Sequence, residues 1–319
     1  MAIAPGSSER VLIPVAPLYI QVMINLAVVV VHGARPGPRL WVSAAVHGDE
    51  LIGSLAVRQL LRRIKPESLA GTLVAVPAVN AFGLLHQSRY LPDRRDLNRS
   101  FPGSPRGSLA ARLAHIFMSE IVARCTHGID LHTAAIHRDN LPQIRANLDD
   151  PATRKMARAF GAPVMVHANE RDGSLRQAAT QRGVPTLLYE AGEALRYDAR
   201  AVRVGLRGVL RVMQDLGMIR DPIPPPPRPS REARHTTWVR ASRSGFLILD
   251  AELGKHVPKG GRIGAILARR NQDMVADSPT TLRSPVSGVI IGVTRNPLVH
   301  LGDALVHVAS VKARQKAPA

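Results

Sequence analysis

Val46-His47-Gly48-Asp49-Glu50 decides how this chain reads, because an apolar run stops there and a helical spacing begins. On its amino side, Arg39-Leu40-Trp41-Val42-Ser43-Ala44-Ala45-Val46 has the pattern of a buried strand. On its carboxyl side, Leu51, Ile52, Leu55, Ala56, Leu60 and Ile64 recur at helical spacing, and Pro66 closes the element. In a straight strand, residues three apart point to opposite faces. A turn at Gly48, with the helix starting near Glu50, instead lets His47 and Glu50 face one point. An imidazole beside a carboxylate suits a borderline-soft divalent ion such as zinc. Alone, His-x-x-Glu is also the pattern of a capping acid next to a surface histidine, so its company has to decide.

Outward from this junction, strand-like and helix-like segments alternate. The runs Val28–Val31, Thr72–Val76, Gly128–Leu131 and Val184–Tyr189 read as short buried strands. Residues 108–123, 152–160 and 199–216 read as helices. This alternation predicts an α/β fold with a mixed, mostly parallel sheet and flanking helices. Pro-Ile-Pro-Pro-Pro-Pro-Arg-Pro at 222–229 reads as a stiff linker, which divides the chain into a domain at 1–221, a linker at 222–230 and a β-rich domain at 231–319. In the last part, glycine-punctuated runs at 236–239, 245–249, 262–267, 288–293 and 304–308 predict a small C-terminal β-sandwich or barrel-like domain. Its turn Ser284-Pro285-Val286-Ser287-Gly288 resembles biotinyl and lipoyl modules, but no lysine stands at a hairpin tip to carry a cofactor.

Two expectations about surroundings follow from composition. The apolar stretch 11–31 is interrupted by Pro14, Pro17, Gln21 and Asn25, whereas a bilayer span needs about 20 predominantly apolar residues. Strands are expected there, with no membrane role. One cysteine, Cys125, excludes an intrachain disulfide and a Cys-x-x-Cys metal site, and fits a reducing, cytoplasmic setting. The formal charge of +19 comes mostly from arginine, spread from Arg10 to Arg314 rather than gathered in a block. Aromatics at 3% offer little stacking surface for nucleic acid, so no nucleic-acid partner is expected. A basic rim still attracts small anions.

Two further strand ends supply the company that His47 and Glu50 need. Asp130-Leu131-His132-Thr133 brings a second imidazole. Two histidines and one glutamate leave a coordination position open for water, an attested catalytic zinc set. Asp130 is placed to orient a ligand. His32, His86, His115, His127, His137 and His167 are rivals for the third ligand. His132 ranks first because it directly follows an apolar strand, and sites in open α/β sheets lie beyond the carboxyl ends of strands. Val184–Tyr189 then delivers Glu190, a carboxylate free to move protons during hydrolysis, with Glu193 as its competitor. In the Pro- and Gly-rich loop Arg89–Gly103, Arg99 suits a bidentate carboxylate clamp with Asn98 beside it, and Arg89 suits an oxyanion. Arg145 and Arg176 are additional candidates for substrate contact.

The ordered set His47-Gly-Asp-Glu50, Asp96-Leu-Asn98-Arg99-x-Phe-Pro-Gly, Asp130-Leu-His132-Thr and Tyr189-Glu190-x-Gly resembles the succinylglutamate desuccinylase/aspartoacylase family, a branch of the zinc carboxypeptidase superfamily. The motifs run from about residue 40 to 195, and the β-rich C-terminal region also resembles that family's appended domain. The resemblance implies a carboxypeptidase-like fold and one zinc ion per chain on His47, Glu50 and His132. It also implies Glu190 as base, Arg99 with Asn98 on a substrate carboxylate, and Arg89 on the scissile carbonyl. Arg176 best matches the family's later arginine. The expected activity is zinc-dependent removal of an acyl group from a small anionic N-acyl amino acid, by a monomer or homo-oligomer. A metallocarboxypeptidase acting on peptides and a non-catalytic basic anion- or nucleic-acid-binding protein are the competing readings.

Overall fold

A computed structural model describes residues 3–17, 22–168, 172–269 and 277–311. Its strands are β1 (Ser7–Pro17), β2 (Met23–His32), β3 (Arg35–Ala44), β4 (Ala70–Val76), β5 (His127–Ala134), β6 (Arg138–Ala146), β7 (Val164–His167) and β8 (Thr186–Glu193). After the proline run come β9 (Arg231–Arg240), β10 (Gly245–Leu249), β11 (His256–Val257), β12 (Arg262–Arg269), β13 (Asp277–Arg283), β14 (Gly288–Thr294), β15 (Leu298–Val299) and β16 (Ala304–Val311). The helices are α1 (Leu51–Leu61), α2 (Ala81–His86), α3 (Leu109–Ile116), α4 (Pro151–Phe160), α5 (Leu175–Gln181) and α6 (Ala199–Asp215).

The sheet is mixed. Strands β4, β3, β5 and β8 pair in parallel at its centre, while β2 joins β4, and β6 joins β8, in antiparallel fashion. In the apolar stretch near the amino terminus, β1 and β2 pair antiparallel, with residues 18–21 outside the described ones, and no helix among the described residues is long and apolar enough to cross a membrane. Alternation along β3 feeds two cores. Leu40, Val42 and Ala44 join α1, α4 and α6 on one face, and Trp41 joins α3 and α5 on the other. Gly128 lets β5 pass Trp41, since a Cβ there would lie 2.2 Å from the indole ring. The helix expected over 108–123 is regular only to Ile116, after capping by Ser108. Its backbone then widens to a π-helical turn at Phe117–Ile121 and tightens to a 3₁₀ turn at Val122–Arg124.

Residues 222–230 hold no helix or strand, yet the strands after them continue the large sheet. β9 pairs with β7 in parallel, β16 and β14 follow, and β14 also pairs with β6. A second sheet of order β13-β12-β10-β15 shares with them an apolar core that includes Ile266, Leu305 and Val306. Arg211 on α6 fastens the proline run by donating to the carbonyls of Phe160 (2.7 and 3.0 Å) and Pro224 (3.2 Å).

Gly48 serves a different purpose from the one its sequence suggests. Ala45, not Gly48, takes the left-handed conformation (φ 49°) that turns the chain after β3. A Cβ on Gly48 would sit 1.8 Å from the Gly83 carbonyl carbon of α2, so glycine is required for close backbone approach. We expect Gly48→Ala to destabilise the fold by about 2–3 kcal/mol, as overpacking does, measured by denaturant unfolding.

Candidate active site

The parallel strands end side by side, and their carboxyl ends carry the candidate residues. His47 and Glu50 lie in the β3–α1 connection, His132 near the end of β5 and Glu190 near the end of β8. One ligand atom each from His47, Glu50 and His132 lies within 4.8 Å of the others, and all three residues are buried. The Glu50 carboxylate bridges the two rings, 2.7 Å from His47 Nδ1 and 2.8 Å from His132 Nδ1, and accepts the Thr133 backbone N–H at 2.9 Å. On the far side of His132, Asp130 meets Nε2 at 2.7 Å and accepts the Ser43 hydroxyl at 2.6 Å. His47 Nε2 lies 3.1 Å from Asp96. Burial opposes ionisation of Glu50, but the two imidazoles outweigh it and hold the carboxyl well below its usual range. Burial likewise opposes charge on His132, and Asp130 with Glu50 outweigh that effect. The donor set fits zinc: two imidazoles, one carboxylate, and an acid holding the far nitrogen of each ring. None of the six rival histidines belongs to the cluster among the described residues, nor does Cys125, whose thiol burial pushes up to about 12.

A cavity of about 320 Å³ opens over the cluster. Glu190 lines it, whereas Glu193 accepts the backbone N–H of His137 at 3.0 Å and does not. Asn140 on β6 donates to Glu190 Oε2 at 3.0 Å. Burial raises the Glu190 carboxyl above its ordinary value, against the opposing pull of Arg145 and His132. Arg89 also reaches the cavity but is shared between Asp96 (3.0 Å) and Glu50 (3.4 Å). Asn98 Oδ1 accepts the Leu175 N–H at 2.9 Å, which ties the loop to α5, and Arg99 donates to the Asn98 carbonyl. Arg176 is buried and donates to the Ala168 carbonyl at 3.0 Å, and Arg145 faces the cavity from β6.

Several lining residues were not singled out from the sequence. Asn140 and Arg138 lie on β6, a strand hidden by Pro142 and the polar residues around it. Trp238 on β9 and His307 on β16 are direct cross-strand partners whose rings stack at 4.3 Å. Burial, with Arg145 nearby, pushes the His307 imidazole down to about 3. A histidine with a depressed folded-state pKa leaves the unfolded chain binding more protons below about 6.5. Its stabilising contribution is complete above that pH and is lost as pH falls towards 3. We expect the stability of His307→Gln to fall less steeply than that of the parent chain between pH 6.5 and 3, measured by denaturant unfolding across that range.

Similarity to known proteins agrees with this geometry. A profile of the succinylglutamate desuccinylase/aspartoacylase catalytic domain matches residues 36–216, more than half of the chain. The N-alpha-acetyl-L-2,4-diaminobutyric acid deacetylase of Halomonas elongata is 25% identical over 286 residues, covering 86% of this chain and 83% of its own. A crystal structure of succinylglutamate desuccinylase/aspartoacylase from Rhodobacter sphaeroides superposes with a TM-score of 0.84 at 29% identity, covering 94% of this chain and 95% of that one. The product-bound ectoine utilization protein EutE (DoeB) from Ruegeria pomeroyi shares the fold, with a TM-score of 0.85 at 23% identity and 97% coverage of both chains. The chain therefore belongs to the succinylglutamate desuccinylase/aspartoacylase family.

Proposed function

We propose that this protein is a zinc-dependent amidohydrolase that removes the acyl group from a small N-acylated amino acid. The observation that carries the reading is the buried His47–Glu50–His132 cluster beneath a cavity that also holds a separate, buried carboxylate, Glu190. The Halomonas deacetylase, similar over most of its length, supports amide cleavage as the reaction class. His47, Glu50 and His132 would hold one zinc ion per chain, which supplies Lewis acidity towards an acyl carbonyl and acidifies water.

The chain's own residues supply the remaining steps. Glu190 accepts a proton from the attacking water and passes it to the departing amide nitrogen. Its raised pKa suits that exchange, because a base works best when its pKa approaches the working pH. Asn140 fixes the carboxylate through Oε2, which aims the proton-accepting oxygen. Arg99, with Asn98 beside it, holds the substrate carboxylate in the forked geometry that guanidinium offers. Arg176 stiffens the same side by binding the Ala168 carbonyl. Arg89 is kept at the cavity by Asp96 and Glu50, where its charge stabilises the oxyanion of the attacked carbonyl.

Two variants test this division of labour. His47→Ala is expected to lose both bound zinc, measured by elemental analysis, and hydrolysis of N-acetyl amino acids. Glu190→Gln is expected to retain zinc while kcat drops about 10²–10⁴-fold, the usual contribution of general acid–base catalysis. Full turnover by Glu190→Gln would remove Glu190 from the base role. Zinc retention by His47→Ala would remove that imidazole from the ligand set.

A further inference from the structure

A second cavity, of about 440 Å³, lies between α6, the proline run and the start of β9, and shares no lining residue with the cavity over the His47–Glu50–His132 cluster. Six guanidinium groups line it: Arg200, Arg203, Arg207 and Arg211 from α6, Arg228 from the proline run and Arg231 from β9. No carboxylate lines it, and none of the six arginines forms an ion pair with a carboxylate among the described residues. The rest of the lining is largely apolar, with Leu141, Val164, Val204 and Val289 beside prolines of the run.

The helix carries this charge against its own stability. Spacings of three, four and four residues put Arg200, Arg203, Arg207 and Arg211 on one face of α6. Like charges so spaced destabilise a helix, and no acidic residue stands between Asp198 and Asp215 to relieve them. Arg200 also lies in the first turn, where the helix dipole disfavours a cation. Burial, with Arg207 beside it, lowers the pKa of the Arg211 guanidinium below its ordinary value. The walls are nonetheless fixed in place. Arg211 holds the Phe160 and Pro224 carbonyls together. Gly161, which ends α4 at φ 71°, lets the proline run approach, since a Cβ there would meet Pro226 at 2.9 Å.

We infer that this second cavity binds a nucleoside polyphosphate, with its phosphates on the guanidiniums and its ring against the apolar lining. A carboxylate satisfies one or two guanidinium forks, so six of them call for a ligand with many anionic oxygens. Phosphate oxygens match those forks, and a guanidinium also stacks on a planar ring. The cavity falls within the range of about 300–1,000 Å³ usual for small-molecule sites. A nucleic-acid strand would need a groove with aromatic platforms, and no aromatic residue lines this cavity. The inference does not depend on the hydrolase reading, because none of the residues assigned to that reaction lines the second cavity.

The test titrates the full chain with the fluorescent analogue trinitrophenyl-ATP at about 0.15 M ionic strength, followed by displacement with unlabelled compounds. Saturation at one probe per chain is expected. ATP should displace it at concentrations at least tenfold lower than AMP or adenosine, and at least threefold lower than inorganic tripolyphosphate. Arg203→Gln/Arg207→Gln should weaken ATP binding at least tenfold. Arg58→Gln/Arg62→Gln, which removes the same charge from another exposed arginine pair four residues apart, should leave it within twofold. All four positions are exposed, so neither variant opens the core. Undiminished binding in the α6 variant overturns the site, because the probe is then held elsewhere, as by the arginines over the His47–Glu50–His132 cluster. Equal losses in the two variants reduce the effect to net charge and overturn it as well. Displacement by an oligothymidylate at lower concentration than ATP assigns the face to nucleic acid instead, and failure of the probe to bind leaves the cavity no nucleotide to hold.

Discussion

Everything at this site depends on one buried carboxylate held between two imidazoles. Glu50 is sealed from water, which on its own would drive the acid to its neutral form. It stays ionised because His47, His132 and the Thr133 amide all face it. Those partners arrive from two different strand ends, so the parallel pairing of β3 with β5 is what brings the acid and its rings together. Asp130, Ser43 and Asp96 then fix the far edges of the rings, and each link restricts the next. The arrangement tolerates little movement, because each hydrogen bond fixes the orientation of the next group.

The same physics explains which features the sequence revealed. Central parallel strands are buried on both faces and read as unbroken apolar runs, so β3, β4, β5 and β8 stand out and the residues at their ends can be picked out. His47, Glu50, His132 and Glu190 all follow such runs, and their grouping around one cavity was therefore legible. β6 was not, since Arg138-Asp139-Asn140-Leu141-Pro142-Gln143 looks like a loop until antiparallel neighbours on either side supply its partners. Gln143 is completely buried there because its amide donates to the Ile291 carbonyl, a contact across nearly half the chain.

Trp238 and His307 were hidden for a related reason. Each sits in a run that reads as an ordinary β segment, and their stacking exists only in the register of β9 with β16. Local pattern reports which residues form strands, but it does not report which strands become neighbours. The π-helical turn after α3 shows a third limit, because an apolar helical spacing does not distinguish 3.6 residues per turn from a wider coil.

The antiparallel joint between β6 and β14 gives the protein a particular birth order. Asn140 pairs with Gly292, and the stacked wall of the cavity needs residue 307, so a nascent chain on the ribosome can assemble the His47–Glu50–His132 cluster well before it can close the pocket over it. Until those strands dock, the Arg138–Asn140 end of β6 lacks one partner and the cavity lacks its Trp238–His307 wall. The complete cavity wall is thus reserved for a chain that has been synthesised through β16.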